Sequence, residues 1–352
     1  MTAHPEVPIT PDRIRAAVEL TLAWGEATAG KDAIAAALAV ARGAPDDLIE
    51  VVASGRRVVL SGAGSSYYIC QVAASAMRQV AGIPAIAVPL SDLLLRPDDV
   101  LLADGQPDPV FLVSRSGSTT EAVEAMESLR RHGRYTVAVT ARPASPLTEL
   151  ASATLSVAEA DEEAIVMTRS VAALTTLLMR LAARVAGHPL GEALDQLPDR
   201  WHETAVHVSE AFELAAAAPS RVVVLGGGAA YGLANEAVLK LTETSRVPAA
   251  AYHPLEFRHG PISVCEPGML VVGLLGGQAA AAERRVLDEC RRLGATTWIL
   301  GPDGPAADLG EIAQLPLVLH PLQALALGVA VGRGRDPDSP RHLGQVVVIE
   351  GV

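Results

Sequence analysis

Apolar runs of strand length alternate with helix-period stretches along most of the chain. "RRVVLSGAG" reads as a buried strand ending in glycines, followed by a helix from Tyr67 to Val80 and a strand at "PAIAVPL". "PVFLVSRSG" is a further strand, leading into a helix from Thr119 to His132 and a strand at "YTVAVTA". Strands that alternate with helices predict a parallel sheet with right-handed crossovers. The first forty-odd residues predict helix. In "TPDRIRAAVELTLAW", Thr10 is placed as N-cap and Pro11 as the first helical residue. The segment from Glu163 to Ala186 predicts a long helix.

From Arg221 the pattern starts again. "RVVVLGGGAAY" repeats "RRVVLSGAGSSY", and "MLVVGLLGGQAAAAERRVLDECRRLG" repeats "VFLVSRSGSTTEAVEAMESLRRHG". An internal duplication of an α/β unit follows. The copies differ in one respect. Ala229 and Ala230 stand where the first copy has Ser65 and Ser66, and "LGGQAA" stands where it has "SRSGST". A fold needs no such asymmetry, so the hydroxyls mark a site in the first lobe.

Composition narrows the classes. The 352 residues are 50% hydrophobic, enough for the cores of two lobes, and aromatics are only 3%, which suits close helix-on-sheet packing. The net charge of −12 and the lack of a Lys/Arg cluster argue against nucleic acid as a partner. Cys70, Cys265 and Cys290 have no metal-ligand spacing and read as reduced thiols of a cytosolic protein. The start "MTAHPEVPITPDR" does not resemble a signal peptide. The longest apolar stretches read as strand-length or charge-bearing, so no membrane span is predicted.

Ser114, Ser116, Ser118 and Thr119 lie within six residues around Gly117, between a strand and a helix. Such a turn is an anion cradle: free backbone N–H groups and the positive end of the helix dipole face it, and hydroxyls add donors. A phosphate ester is the natural guest. Capping by Ser118 or Thr119 is the simpler alternative, but it would need one hydroxyl rather than four. "GAGSSY" is a poor dinucleotide fingerprint, because Tyr67 stands where a third Gly belongs. Further on, Glu236, Lys240 and Glu243 are spaced to share one helix face. Spacing alone favours a solvated face with a Glu236–Lys240 ion pair. His259, taken alone, reads as a loop histidine before a Pro-initiated turn.

"SRSGST" after a strand, "GAGSS" upstream and "EEAIVMTRS" downstream resemble a sugar isomerase (SIS) fold. "NEAVLKLTETSRVPAAAYHPLEFRHGP" resembles the isomerase half of glucosamine-6-phosphate synthase and the amino-sugar-phosphate deaminase/isomerases. The resemblance runs from about Asp46 to the C-terminus. It implies two tandem SIS lobes, each a parallel sheet flanked by helices in a flavodoxin-like or Rossmann-like manner. The expected division is an N-terminal helical segment (1–45), a first lobe with the phosphosugar loops (46–190), a helical connector (191–218) and a second lobe with the C-terminal tail (219–352).

The same resemblance implies Glu243 as the base that moves a proton between C1 and C2, Lys240 as the group that polarises the sugar oxygen, and Glu236 as the residue that orients Lys240. It implies His259 as the ring-opening acid/base, reaching the site of a neighbouring subunit. Ser114, Arg115, Ser116 and Thr119 would hold phosphate, Ser65 and Ser66 would approach the sugar, and Val166 and Thr168 would line the substrate. His253 has no counterpart in the synthase pattern. Arg115 stands where the synthase usually has Gln and agrees with the deaminase/isomerase branch. Gln345, in the tail "DPDSPRHLGQVVVIE", stands where the synthase carries an active-site Lys. These 352 residues carry no glutaminase segment and no N-terminal Cys nucleophile, so release of ammonia from glutamine by the synthase route is not expected of them.

The expectation is therefore a cytoplasmic homodimer with a shared active site, using no metal or organic cofactor. It would bind a hexose 6-phosphate or amino-hexose 6-phosphate and interconvert aldose and ketose forms, with or without loss of ammonia. A sugar-phosphate-sensing regulatory protein and a fructosamine-6-phosphate deglycase are the alternatives. Glu243 and His259 together favour an enzyme over a sensor.

Overall fold

The computed structural model describes residues 10–102 and 108–346. The start of the chain before Thr10 and the end of the tail after Val346, both used in the sequence reading, lie outside the described residues.

Among the described residues nine strands form two separate sheets, and every pairing is parallel. The first contains β1 (Val58–Gly62), β2 (Ala85–Pro89), β3 (Val110–Val113), β4 (Thr136–Thr140) and β5 (Ala153–Ser156), in the order β2-β1-β3-β4-β5. The second contains β6 (Arg221–Gly226), β7 (Ala249–Tyr252), β8 (Met269–Leu274) and β9 (Thr296–Leu300), in the order β7-β6-β8-β9. The expected α/β class and duplicated lobes are thus present. The central strands are apolar at consecutive positions because helices cover both faces of each sheet.

Alternate residues of each strand enter different cores. Val58 and Leu60 of β1, and Val222 and Val224 of β6, join one large core running between the sheets. Val59 faces an outer core of the first lobe, and Val223 and Leu225 face an outer core of the second. The helices that follow β1 and β6, Ser65–Ala81 and Ala230–Ser245, pack on one another in the shared core. Gly232 permits their close approach: a Cβ there would come within 2.6 Å of Val72 Cγ2 and 2.8 Å of the Tyr68 carbonyl. Side chains that follow β1 are thereby brought against side chains on the helix that follows β6.

Three sequence expectations need correction. The N-terminal helix is three helices, Pro11–Val18, Leu22–Thr28 and Gly30–Arg42. Thr10 caps the first as expected, and Thr21 starts the second by accepting a bond from Trp24 N. The expected helix from Glu163 begins only at Arg169. The preceding backbone is instead held by carboxylates: Glu26 accepts from Glu163 N and Ala164 N, and Glu162 from Thr168 N and Ser170 N. Lastly, Leu315–Gly332 is an 18-residue helix without Asp, Glu, Lys or Arg, longer than the strand-length apolar runs expected. It is 89% buried and packs between helices Thr204–Ala216 and Ala230–Ser245, so its continuous apolarity is that of a central core helix.

Candidate active site

In the order β2-β1-β3-β4-β5 the strand order reverses between β1 and β3, and the carboxyl ends of strands at such a switch point are where open parallel sheets bind ligands. Both hydroxyl-bearing turns lie at that edge: Ala63–Ser66 after β1 and Ser114–Thr119 after β3.

The serine loop is tightly braced. Ser114 N donates to Val139 O, Ala141 N and Thr140 Oγ1 donate to Arg115 O, and Leu147 N donates to Gly117 O. Within the loop, Gly117 N donates to Ser114 Oγ at 3.2 Å and Ser118 N to Ser116 Oγ at 3.2 Å. Ser114 Oγ lies 3.5 Å from Thr119 Oγ1. Gly117 has φ +61°, and a Cβ there would run into the Ser145 side chain, with Ser145 Cβ at 2.6 Å. Thr119 occupies the N-cap position of helix Thr120–Arg131, yet its side chain makes no cap bond. The simple capping explanation of the hydroxyls therefore fails for Thr119.

Arg115 is buried, and its guanidinium donates to the carbonyls of Ala164, Ile165 and Gln345. It ties the serine loop to both the 163–168 segment and the tail. Gln345 closes the same junction by donating from Nε2 to Glu163 O. Val166 is buried in the large core, and Thr168 donates from N and Oγ1 to Glu162 Oε2 and accepts from Gln323 Nε2. Both belong to the segment clamped by Arg115, Glu26 and Glu162.

Helix Ala230–Ser245 supplies the acid/base candidates. Lys240 Nζ lies 2.6 Å from Glu243 Oε2 and 3.4 Å from Glu236 Oε1. Glu236 and Lys240 are buried, while Glu243 is partly exposed. The solvated face that spacing alone favoured is thus turned inward. Ser65 Oγ, from the first lobe, donates to Glu236 Oε1 at 3.2 Å. Ser66 is buried beside it in the first turn of its helix. Burial pushes the Glu236 carboxyl up to about 7, against the pull of the Lys240 charge. Burial also works against the Lys240 ammonium, but Glu236 and Glu243 outweigh it and raise its pKa. A protonated lysine is thus held between two carboxylates, and Glu236 Oε2 is buried without a partner among the described residues.

Two residues at the site had no sequence signal strong enough to single them out. Tyr68, one turn after Ser65, is half-buried near this cluster. Burial raises its hydroxyl pKa, and the charges of Glu236 and Glu243 raise it further. Glu162 acts on Lys240 through its charge and positions Thr168 and Ser170. Its only sequence mark is the Glu-Glu pair opening "EEAIVMTRS".

His259 follows the short helix Pro254–Phe257 and is exposed, with no side-chain hydrogen bond or ion pair among the described residues. His253 stacks on Tyr231 with ring centroids 4.0 Å apart. Within one chain neither histidine joins the Glu236–Lys240–Glu243 cluster. No group of three or more metal-ligating side chains occurs among the described residues.

The model of the SIS domain matches residues 52–184 and 216–305, one segment for each sheet. A glutamine–fructose-6-phosphate aminotransferase (isomerizing) of Aeropyrum pernix is 30% identical over 328 residues, covering 85% of this chain and 52% of the relative. The chain spans about half the length of the curated relatives it matches. A glucosamine-6-phosphate deaminase of Thermotoga maritima superposes with TM-score 0.73 and 27% identity, covering 89% of this chain and all of that one. A tagatose-6-phosphate ketose/aldose isomerase of Escherichia coli shares the fold, with TM-score 0.71 at 23% identity over 97% of this chain and 96% of its own. With both lobes matched and a hydroxyl loop at the switch point of the first, the chain belongs to the SIS domain family.

Proposed function

We propose that the protein is a phosphosugar isomerase/deaminase acting on a 2-amino-2-deoxyhexose 6-phosphate or a related hexose 6-phosphate. The observation that carries this reading is Lys240 between Glu236 and Glu243, joined through Ser65 to the lobe that holds the serine loop.

In this reading the phosphate sits on the amides and hydroxyls of Ser114–Thr119, with Ser116 and Thr119 as donors. Arg115 holds the loop and the tail in place rather than standing alone as a charge. The sugar chain extends toward Ser65, Ser66 and the helix of Glu243. The Glu243 carboxylate takes the proton from C2 of the open aldose and returns it to C1, as one carboxylate can serve both steps. The Lys240 ammonium stabilises the negative charge that develops on the sugar oxygen between the two steps. Glu236 fixes Lys240 and shares a proton near neutral pH. With an amino group at C2, the proton shift leaves an imine at C2. Water adds there, ammonia leaves, and the ketose phosphate remains. His259 opens the ring from a second subunit, which requires a homodimer.

The glucosamine-6-phosphate deaminase and the aminotransferase relatives support an amino-sugar phosphate as the substrate class. Gln345 at the tail position supports turnover toward the ketose over glutamine-dependent synthesis. A panel of hexose, amino-hexose and fructosamine 6-phosphates, assayed for amine release and for aldose–ketose exchange, tests the reading. Ammonia from an amino-hexose 6-phosphate is the expected result. Turnover confined to fructosamine phosphates would make the enzyme a deglycase, and tight binding without turnover across the panel would make the protein a sensor.

A further inference from the structure

Cys265 and Cys290 are separated in the chain and meet in the second lobe. Cys290 stands in the last turn of helix Ala280–Arg292 and is 0% exposed. Cys265 directly follows the turn Pro261–Val264 and is partly exposed. Cys290 belongs to the outer core of that lobe, Cys265 packs against the same core, and the two thiols share a hydrogen bond. Neither is in a disulfide. Packing alone does not call for sulfur here. Where "VLDECRRLG" repeats "AMESLRRHG", Leu129 holds the place of Cys290 in the first lobe and is buried as well.

The pair sits at one end of the turn that carries His259. Before that turn, Phe257 is fully buried in the outer core, and Arg258 Nε lies 2.9 Å from Glu289 Oε2 on the cysteine-bearing helix. After it, Ile262, Val264 and Cys265 rest on the same core. Between these anchors His259 is exposed, and Gly260 has φ +119° with open space where a Cβ would stand. The Arg258–Glu289 pair is solvent-exposed and holds weakly. A covalent link at Cys265 would be the firm anchor.

The thiols are not equivalent. Burial raises the Cys290 pKa to about 12, and Cys265 beside it adds to the effect. Burial raises Cys265 too, but the hydrogen bond from the Cys290 thiol pulls it back. Negative charge therefore falls on Cys265, the thiol that solvent reaches.

We propose that Cys265 and Cys290 form a reversible redox site, in which hydrogen peroxide links them and the disulfide straps the His259 turn to helix Ala280–Arg292. The Cys265 thiolate attacks a peroxide oxygen, the O–O bond breaks, and water leaves with the thiol proton, so that Cys265 becomes a sulfenic acid. The Cys290 sulfur then attacks Cys265 Sγ. The S–O bond breaks, the S–S bond forms, and the departing hydroxide takes the Cys290 proton. Two thiols and one peroxide thus give one disulfide and two waters. The site does not depend on the sugar-phosphate reaction.

Oxidation of the full chain with hydrogen peroxide, followed by intact mass, thiol count and non-reducing peptide maps, tests the proposal. Two of the three thiols should be lost together, in one cross-linked peptide pair that joins Cys265 to Cys290, and dithiothreitol should restore both. Cys70, buried in helix Ser65–Ala81, should stay reduced. Amides in 258–265 should exchange with deuterium at least tenfold more slowly in the oxidised protein. Cys265→Ser should slow loss of the Cys290 thiol at least tenfold, and Cys290→Ser should leave a sulfenic acid at Cys265 that dimedone traps. Thiols that survive peroxide, a link that involves Cys70 or a second chain, oxidation of Cys265 past the sulfenic acid without a link in the wild type, or a disulfide that leaves exchange in 258–265 unchanged would each overturn the proposal.

Discussion

The Ser65 hydroxyl reaches from the first lobe to Glu236 of the second and donates to its Oε1 at 3.2 Å. This bond joins a turn next to the serine loop to the helix that carries Lys240 and Glu243, and it gives the Glu236 carboxylate one of its few stabilising contacts. Ser65→Ala should lower kcat by roughly ten- to a hundredfold, the worth of one hydrogen bond to a charged group at about 1.5–3 kcal/mol, with little change in KM. Because the Ser65 bond holds the Glu236 pKa down, the variant should also shift the acid limb of the kcat profile upward. Steady-state kinetics against pH reads both effects.

Glu236 also bears on stability. Its folded pKa of about 7 lies above an ordinary glutamate. A carboxyl raised on folding stabilises fully below its unfolded pKa, and that contribution is lost as pH rises through the folded value. The wild type should therefore lose stability between about pH 4.5 and 7 relative to Glu236→Gln, whose urea midpoint should be flatter over the same window. Parallel curves for the two proteins would place the Glu236 proton elsewhere.

The serine loop makes a separate prediction. Ser116→Ala with Thr119→Ala removes two donors to a dianion and should weaken phosphosugar binding by about 3–6 kcal/mol, at roughly 1.5–3 kcal/mol each. Gly117→Ala should impair binding by another route, since φ +61° and the Ser145 side chain leave no room for a Cβ. It should also lower the unfolding temperature. If the double variant binds as the parent does, the phosphate lies elsewhere.

If His259 serves the neighbouring subunit's site, two defective chains should complement. Glu243→Gln and His259→Ala, each inactive alone, should regain up to about a quarter of wild-type activity on mixing, because one hybrid site per dimer then holds both intact groups. Absence of recovery, with subunit exchange confirmed, would mean that each chain completes its own site.

The sheets are legible in the sequence because their strands are buried on both faces and stand as unbroken apolar runs between glycine turns, as in "VVLSG" and "VFLV". The helix-face spacing of Glu236, Lys240 and Glu243 was equally plain, but not its direction. Burial of that face depends on helix Ser65–Ala81 packing against it, a contact between segments far apart in sequence. The same limit hid Glu26 and Glu162, whose carboxylates replace the first turns of the expected 163–186 helix with a clamped loop. Arg115 shows it again: its type suggested a phosphate contact, whereas three carbonyls from two distant segments occupy its guanidinium. The Leu315–Gly332 helix was overlooked because a fully buried helix has no polar face to give it a period.

The central claim is that Glu243 moves a carbon-bound proton while the serine loop only holds phosphate. Incorporation of solvent deuterium at C1 or C2 of a bound amino-hexose 6-phosphate, followed by NMR in wild type and Glu243→Gln, measures that step directly. The account predicts exchange in the wild type, and loss of exchange in Glu243→Gln by at least a thousandfold with phosphosugar affinity within about threefold of the parent. Exchange that persists in Glu243→Gln, or a wild type that binds the sugar phosphate tightly and exchanges nothing, would contradict it.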